Sequence, residues 1–249
     1  MRMTWLFLAV LGCFLSPAIA QDTKFDPAQK QAFESLIRDY LLKNPQVLRE
    51  ALVAMDRHER EQEEKVRSEA VAKHATDLFS GTRSAVLGNP NGDVTIVEFF
   101  DYNCGYCKRS LGDVENLLRA DPGLRLVLKE FPVLGRGSVE AAQISAQLIN
   151  NPRFHEFHTK LLGEKNPVDK KVALSVAQSL GFDTKSLEAG MTQKPSQDVI
   201  EDSLRLADNL NLNGTPTYVI GNEVIVGAVG IAALRQKIQA VRKCGKSSC

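Results

Sequence analysis

The chain has 249 residues, of which 43% are hydrophobic and 24% are charged, and its formal net charge is +1 at pH 7. This composition is ordinary for a globular protein, and the length exceeds that of a typical single domain. Because the charges balance, the chain lacks the basic excess that would recruit a polyanion. We therefore expect no nucleic-acid partner.

The N-terminus has the features of a secretory signal peptide. A basic residue precedes an apolar run from Trp5 to Leu15, and Ala18-Ile19-Ala20 offers small residues at the cleavage positions. The run is too short to span a bilayer. Cys13 leaves a lipid anchor open as an alternative, although the residues before it match a lipobox poorly. We predict that residues 1–20 are removed and that the mature protein lies in the periplasm.

Residues 21–75 are predicted to form a helical oligomerisation segment that ends in a charged linker helix. The helix starts are marked by Asp26-Pro27 and Asn44-Pro45. Apolar residues then recur at helical spacing, namely Phe33, Leu36, Ile37, Tyr40, Leu41, Val47, Leu48, Ala51, Leu52 and Met55. From Asp56 to Lys73 the sequence is dense in both charges and strong helix formers, which favours an extended, solvated spacer.

The apolar stripe of this segment needs a partner surface, because two short helices cannot bury it alone. We expect residues 21–55 to pack against further copies of the chain, giving a dimer or trimer. The alternative is that both helices fold back on the main domain.

Residues 76–249 are predicted to form an α/β domain. The pattern predicts a βαβ unit, a helical insertion at about residues 138–211, and a ββα unit. The predicted elements of the two sheet units are a strand at Val94–Phe100, a helix at Gly105–Ala120, a strand at Leu124–Phe131, a hairpin of Thr217–Ile220 and Val224–Val226, and a helix at Ile231–Val241.

Cys104 and Cys107 are separated by two residues and directly follow the strand predicted at Val94–Phe100. A C-x-x-C at this place in a βαβ pattern is typical of a thioredoxin-like redox motif. Cys104 would lie at a helix N-terminus, where unpaired N–H groups and the helix dipole stabilise a thiolate. A zinc site would need two more ligands, and a static disulfide closing so short a loop would stabilise little. The pattern therefore favours redox chemistry.

Three stretches resemble the DsbA family of envelope thiol-disulfide oxidoreductases: VEFFDYNCGYCK around the cysteines, KEFPV at residues 129–133 and GTPTYVIG at residues 214–221. The resemblance spans residues 85–243. It implies a thioredoxin fold with an inserted helical domain and an active-site pair at Cys104 and Cys107. It also implies that Thr215-Pro216 is a cis-proline loop facing the pair, where a substrate peptide adds as a strand.

The family comparison also suggests a buried acid near the cysteines that helps to move protons, and Glu98 fits that place. The alternative for Glu98, and for Lys129 on the other strand, is a side chain that points to solvent at a sheet edge.

The N-terminal helices, with the motif FDPAQ...YLLKNPQVL, resemble the ScsC-like branch, some of whose members are dimers or trimers that isomerise disulfides. The resemblance implies substrate proteins with thiols or disulfides and a membrane redox partner.

Two further groups carry metal-binding residue types. Cys244 and Cys249 lie in a polar C-terminal tail, residues 243–249, and are expected to form a surface disulfide. A second redox pair or a clip for copper(I) is the alternative. His155 and His158 have the spacing of metal ligands on a helix, but we expect both on a solvated face.

The sequence thus predicts a periplasmic thiol-disulfide oxidoreductase, an isomerase or an oxidase or both, that needs no cofactor and no metal. The alternative is a self-associating envelope protein or copper-binding chaperone without disulfide catalysis.

Overall fold

The computed structural model describes residues 25–247 and 249, so the predicted signal peptide and Cys13 lie outside the described residues. The helices are α1 (Pro27–Lys43), α2 (Pro45–Lys73), α3 (Ala75–Phe79), α4 (Gly105–Ala120), α5 (Arg136–Ser145), α6 (Phe154–Leu162), α7 (Lys170–Ser179), α8 (Thr184–Gly190), α9 (Lys194–Asn209) and α10 (Ile231–Cys244). The strands are β1 (Ala85–Gly88), β2 (Val94–Phe100), β3 (Leu124–Glu130), β4 (Thr217–Ile220) and β5 (Glu223–Val226). The chain divides into two compact units, one ending at Arg57 and one beginning at His58.

The first unit begins with the predicted helix start. The Asp26 carboxylate accepts hydrogen bonds from the backbone N–H groups of Ala28 and Gln29, at 2.8 and 2.9 Å, and Gln29 caps back onto Asp26. No residue of α1 is buried. Most of the large apolar side chains at residues 25–57 are instead exposed, namely Phe25, Phe33, Leu36, Ile37, Tyr40, Leu42, Leu48, Leu52, Val53 and Met55.

The charged linker predicted for Asp56–Lys73 is helical, as part of α2. Its side chains are exposed as far as Val66, which agrees with a solvated spacer. The prediction is wrong at the end of the helix, where Val71 is buried with Leu78 and Val97 in one apolar cluster. The last turns of α2 therefore belong to the core of the second unit.

The second unit is built on a five-stranded sheet in the order β1-β3-β2-β4-β5. Strands β2 and β3 are parallel, and the other three pairs are antiparallel. The predicted βαβ and ββα units are confirmed. Strand β1 was not predicted, because a four-residue strand beside the turn-forming residues 88–92 carries too little pattern to be recognised.

The helical insertion is present as α5 to α9, between β3 and β4. Helix α8 was not predicted, since seven residues span too few turns to show a clear apolar period. Within residues 25–247 and 249, no helix combines the length and the apolar character needed to cross a membrane.

Both faces of the sheet are buried. Successive side chains of β2 point to opposite faces, so every second residue lies on the same face. Val97 and Phe99 join the cluster that contains Val71 and Leu78. Ile96 and Phe100 join the other cluster, which includes Cys107 of α4. Glu98 lies between Ile96 and Phe100 on the strand and therefore faces the same side as Cys107.

Candidate active site

Cys104 is the N-cap of α4, and Cys107 lies in its first turn. The backbone N–H of Cys107 donates a hydrogen bond to the Cys104 Sγ atom at 3.4 Å. Both cysteines are free thiols; Cys104 is 5% exposed and Cys107 is fully buried. The helix N-terminus therefore directs positive charge at Cys104, and Cys104 is the sulfur that solvent can reach.

The peptide bond between Thr215 and Pro216 is cis, and this loop lies against Cys104. The Cys104 thiol donates a hydrogen bond to the Thr215 carbonyl oxygen at 3.1 Å. The Pro216 carbonyl accepts a hydrogen bond from the Gly227 N–H at 2.8 Å, which ties the loop to the segment after β5. Chain segments 111 residues apart thus meet at one sulfur atom.

Glu98 lies inside the fold, at 4% exposure, so the solvent-edge alternative is wrong. Burial raises the pKa of its carboxyl to about 8. Burial, and then the nearby negative charges of Glu98 and Cys104, also raises the pKa of the Cys107 thiol well above its usual range. Burial therefore keeps both the Glu98 carboxyl and the Cys107 thiol protonated to a higher pH than exposed groups of the same kind.

The solvent-edge alternative is also wrong for Lys129, which is 3% exposed on the opposite face of the sheet. Its Nζ donates a hydrogen bond to the Asp77 carbonyl oxygen at 3.0 Å, and burial lowers its pKa to about 8. Lys129 is thus separated from the cysteines by the sheet.

Asp101 holds the loop between β2 and the cysteine motif, and sequence reasoning missed it. Its carboxylate accepts hydrogen bonds from the Asn103 N–H at 2.7 Å and from the Ser138 hydroxyl at 2.7 Å. Its Oδ2 atom also accepts hydrogen bonds from the backbone N–H groups of Val133 and Leu134, at 2.9 and 3.0 Å. One buried carboxylate therefore fixes both the motif and the loop after β3.

Asn103, which directly precedes Cys104, connects the motif to the insertion. Its side chain accepts the Val168 N–H at 2.6 Å and donates to the Val168 carbonyl at 2.8 Å. It also donates to the Ser138 hydroxyl at 3.0 Å. The available signal was the pair of polar residues, Asp101 and Asn103, between an apolar strand and a cysteine.

A buried polar cluster lies between the motif and the insertion. The Tyr102 hydroxyl is 2.8 Å from the Ser145 hydroxyl and 3.2 Å from His158 Nδ1. His158 is buried, so the expectation of a solvated face is wrong for it, while the exposed His155 contacts Glu115 at 2.6 Å. Burial lowers the pKa of His158 to about 3, which keeps the ring neutral.

Glu130 belongs to the KEFPV stretch but was not singled out from the sequence; it is also buried, and burial raises the pKa of its carboxyl. The described residues contain no group of three or more His, Cys, Asp or Glu side chains that could hold a metal.

In the tail, Cys244 and Cys249 form the predicted disulfide. The buried Ser247 between them approaches the β4–β5 turn, where its N–H and hydroxyl lie 3.4 and 3.3 Å from Asn222 Oδ1. Asn222 in turn donates to the Ser68 hydroxyl of α2 at 3.2 Å. The disulfide closes a loop that packs on the sheet, remote in sequence from the cysteine motif.

Comparison with known proteins gives the family of this fold. The family model described as thioredoxin matches residues 80–240, which include Cys104, Cys107 and Pro216. The chain belongs to the thioredoxin family. A second family model, described as the copper resistance protein ScsC N-terminal domain, matches residues 29–62. Together with the relatives below, these matches confirm the DsbA-like and ScsC-like character that the sequence motifs indicated.

Among solved structures, the chain is similar to a thioredoxin-like oxidoreductase from Silicibacter pomeroyi, with 38% identity and a TM-score of 0.66 over 68% of this chain and 98% of the other. It is also similar to ScsC of Proteus mirabilis in a transitional conformation, with 27% identity and a TM-score of 0.61 over 85% and 94% of the two chains.

Two kinds of curated relative also match. The thiol:disulfide interchange protein DsbA of Bordetella pertussis is 26% identical over 180 residues, which cover 64% of this chain and 84% of that protein. The Na(+)/H(+) antiporter NhaA 1 of Mycobacterium sp. strain KMS is 24% identical over 166 residues, and the chain spans only 27% of that protein's length.

Proposed function

We propose that the protein is a thiol-disulfide oxidoreductase that exchanges disulfides with substrate proteins in the periplasm. The observation that carries this proposal is the environment of Cys104, whose sulfur caps α4 and lies 3.1 Å from the carbonyl of the cis Thr215–Pro216 loop. The relatives named thiol:disulfide interchange protein and thioredoxin-like oxidoreductase support the same chemistry.

The first step is attack by the Cys104 thiolate on a substrate disulfide. One substrate sulfur forms a bond to Cys104 Sγ, and the other leaves as a thiolate. Cys104 is the attacking sulfur because it is the more exposed of the two and because the Cys107 N–H points at it.

In the second step Cys107 displaces the substrate. The Cys107 thiol passes its proton to the Glu98 carboxylate, its sulfur bonds to Cys104 Sγ, and the substrate sulfur that was bonded to Cys104 leaves as a thiolate. The pair ends oxidised and the substrate reduced by two electrons. When a substrate dithiol is oxidised instead, the same steps run backwards, and protonated Glu98 supplies the proton to the departing Cys107 thiolate. If a substrate thiol attacks the mixed disulfide before Cys107 does, Cys104 is released and the substrate disulfide is isomerised.

Substrate recognition would use backbone and apolar contacts beside Cys104. A peptide lying along Thr215 would pair with its backbone as an added strand. Tyr106, Val133 and Leu134 are exposed apolar side chains, and Asp101 holds the backbone of the last two. These features fit unfolded polypeptides better than one folded partner.

We further propose that residues 21–55 join copies of the chain into a dimer or trimer. The support is the exposed apolar side chains of this unit and the match to the ScsC N-terminal domain. We also propose that a cleaved signal peptide exports the protein, on the basis of the sequence of residues 1–20. A membrane redox partner would recycle the cysteine pair, as the family resemblance implies.

A copper-binding chaperone remains the second candidate, favoured by the name of the matched N-terminal domain. Reduced Cys104 and Cys107 would then be soft ligands for copper(I). On this account, copper(I) would bind stoichiometrically and the protein would not exchange disulfides.

The test is insulin reduction and reactivation of scrambled ribonuclease, with the wild type and with Cys104→Ser. We expect both activities in the wild type and neither in the variant. A wild type as inactive as Cys104→Ser would reject the oxidoreductase in favour of a binding protein.

A further inference from the structure

Tyr218 carries a buried hydroxyl that makes no hydrogen bond of good geometry within residues 25–247 and 249, although the side chains of Glu98 and Ser110 lie close enough to interact with it. The residue lies on β4, is fully buried, and is the direct cross-strand partner of Glu98 on β2. Buried polar atoms nearly always have a partner, because an unpaired one destabilises the fold. A hydroxyl left unpaired beside the active-site acid therefore needs a functional explanation.

Direct cross-strand partners have Cβ atoms about 5 Å apart and project from the same face of the sheet. On this face α4 contributes Cys107 and Ser110, whose hydroxyl already donates to the Cys107 carbonyl at 3.1 Å. The residue of β3 opposite Glu98 is Leu128, and α10 adds apolar side chains to the same cluster, namely Leu234 and Ile238 with the partly buried Ile231 and Val241. The groups near Tyr218 that can take a charge are thus Glu98 and Cys107.

The hydroxyl of Tyr218 keeps its proton throughout the pH range of function. Burial, and then the charges of Glu98 and Cys107, raises its pKa above the usual range. Tyr218 in turn lowers the pKa of Glu98, in opposition to the larger effect of burial. Because the hydroxyl stays protonated, it is able to donate a hydrogen bond to the Glu98 carboxylate, and its proximity favours the charged form of that group.

We propose that Tyr218 is a positioning residue for proton transfer, whose hydroxyl donates a hydrogen bond to Glu98 whenever Glu98 is ionised. The inference rests on the proposed function, in which Glu98 exchanges a proton with Cys107. As Cys107 attacks Cys104, its proton moves to Glu98. In the reverse reaction the proton returns, and the carboxylate left behind gains the Tyr218 hydroxyl as its partner.

This arrangement explains how a buried acid can work as a base near neutral pH. Without Tyr218 the ionised carboxylate would lose its hydrogen-bond donor, and its pKa would rise further above 8. Loss of a hydrogen bond to a charged group shifts the pKa of that group by about one unit or more. Attack by Cys107 would then be about tenfold slower at pH 7, because about tenfold less Glu98 would be ionised.

The test compares wild type, Tyr218→Phe and Tyr102→Phe. Tyr102 is a matched control, since it is equally buried but its hydroxyl already contacts Ser145 and His158. The reduced proteins react with oxidised glutathione, and mass spectrometry of acid-quenched samples follows how fast Cys107 displaces glutathione from Cys104 between pH 5 and 10. A carbon-13 NMR titration of the Glu98 carboxyl, assigned with Glu98→Gln, measures the same ionisation without any reaction.

For Tyr218→Phe we expect the pH midpoint of displacement and the Glu98 titration to move upward together by about one unit, with folding stability unchanged or increased. Tyr102→Phe should lose stability and keep both midpoints. In the Glu98→Gln background, Tyr218→Phe should have no further effect on displacement.

Midpoints in Tyr218→Phe equal to those of the wild type would overturn the inference and leave the proposed function standing. A wild type that forms no Cys104–Cys107 disulfide would reject the proposed function, and the Glu98 titration alone would then decide the inference.

Discussion

The Ser138 hydroxyl donates a 2.7 Å hydrogen bond to the Asp101 carboxylate and thereby joins the first helix of the insertion to the loop that carries Cys104. Both residues are 1% exposed. The same carboxylate accepts three backbone N–H groups, from Asn103, Val133 and Leu134. Loss of Asp101 would therefore leave several donors without an acceptor around a buried carboxylate position.

Asp101→Ala should accordingly destabilise the protein by about 3 kcal/mol or more, because each buried donor left unpaired costs about 1–3 kcal/mol. Ser138→Ala removes one of these bonds and should cost about 1 kcal/mol. Urea unfolding monitored by circular dichroism measures both. Asp208→Ala, at an exposed site, is the control and should change stability by less than about 0.5 kcal/mol. An Asp101→Ala variant as stable as this control would contradict the role given to Asp101.

Burial of Glu98 makes folding stability depend on pH. Its pKa is about 8 in the folded state and about 4.3 in an unfolded chain, so the folded state holds a proton that the unfolded state releases between these values. This contribution is fully present below pH 4.3 and is lost as pH rises towards 8. It amounts to about 3 kcal/mol between pH 4.3 and pH 7.

Glu98→Gln has no such proton to lose. Relative to the wild type, its unfolding free energy should increase by up to about 3 kcal/mol as pH is raised from 4.5 to 7. Urea unfolding of both reduced proteins at each pH isolates this difference, since other buried groups such as Glu130 and His158 contribute equally to the two. Parallel stability curves would show that Glu98 ionises normally.

The sequence predicted the fold well where an element is long and its pattern uniform. Helix α4 and strand β2 have the predicted bounds, because a run of β-branched and aromatic residues and a cysteine N-cap mark them locally. Burial of single polar residues was not predictable in the same way. Lys129, Glu130 and His158 are buried by elements distant in the sequence, and a strand or helix pattern cannot show whether such an element covers a polar side chain.

The same distinction between local pattern and contacts distant in the sequence holds for the residues of the site. Cys104 and Cys107 were identified from their spacing, and the Thr215–Pro216 loop only through family resemblance. Tyr218 was missed, since its pairing with Glu98 joins positions 120 residues apart and depends on the register of β2 with β4.

The tail disulfide should be structural and separate from catalysis. Serine replacement of both Cys244 and Cys249 should leave insulin reduction unchanged, because the exchange chemistry needs only Cys104 and Cys107. Stability should fall by about 2 kcal/mol at most, the value expected for a short closed loop. Thermal unfolding measures the second effect. A substantial loss of insulin reduction in the double variant would instead indicate a second redox pair.

Association through the first unit should determine whether the protein isomerises disulfides or only oxidises dithiols. Removal of residues 21–57 keeps the buried Val71 and the whole cysteine site in place. We expect a monomer that still oxidises dithiols but loses most of its isomerase activity, because a misfolded substrate no longer meets several Cys104 thiols at high effective concentration. Sedimentation equilibrium and scrambled-ribonuclease reactivation measure the two effects.

Point variants in the full chain control for the deletion. Leu36→Lys with Leu52→Lys, both at exposed apolar positions, should reproduce its effects, whereas Arg60→Ala on the charged part of α2 should not. A monomeric full-length protein, or a truncated form that isomerises as well as the full chain, would defeat this account.

The most direct test of the central claim, that Cys104 attacks and Cys107 resolves, is to trap the intermediate with Cys107→Ser. The reduced variant is mixed with scrambled ribonuclease, quenched with acid, separated on a non-reducing gel and mapped by mass spectrometry. Without the buried Cys107 sulfur, the mixed disulfide on Cys104 should accumulate, and Cys104→Ser should form none. Failure of Cys107→Ser to form a mixed disulfide, or a substrate bound through Cys107 in Cys104→Ser, would contradict the account.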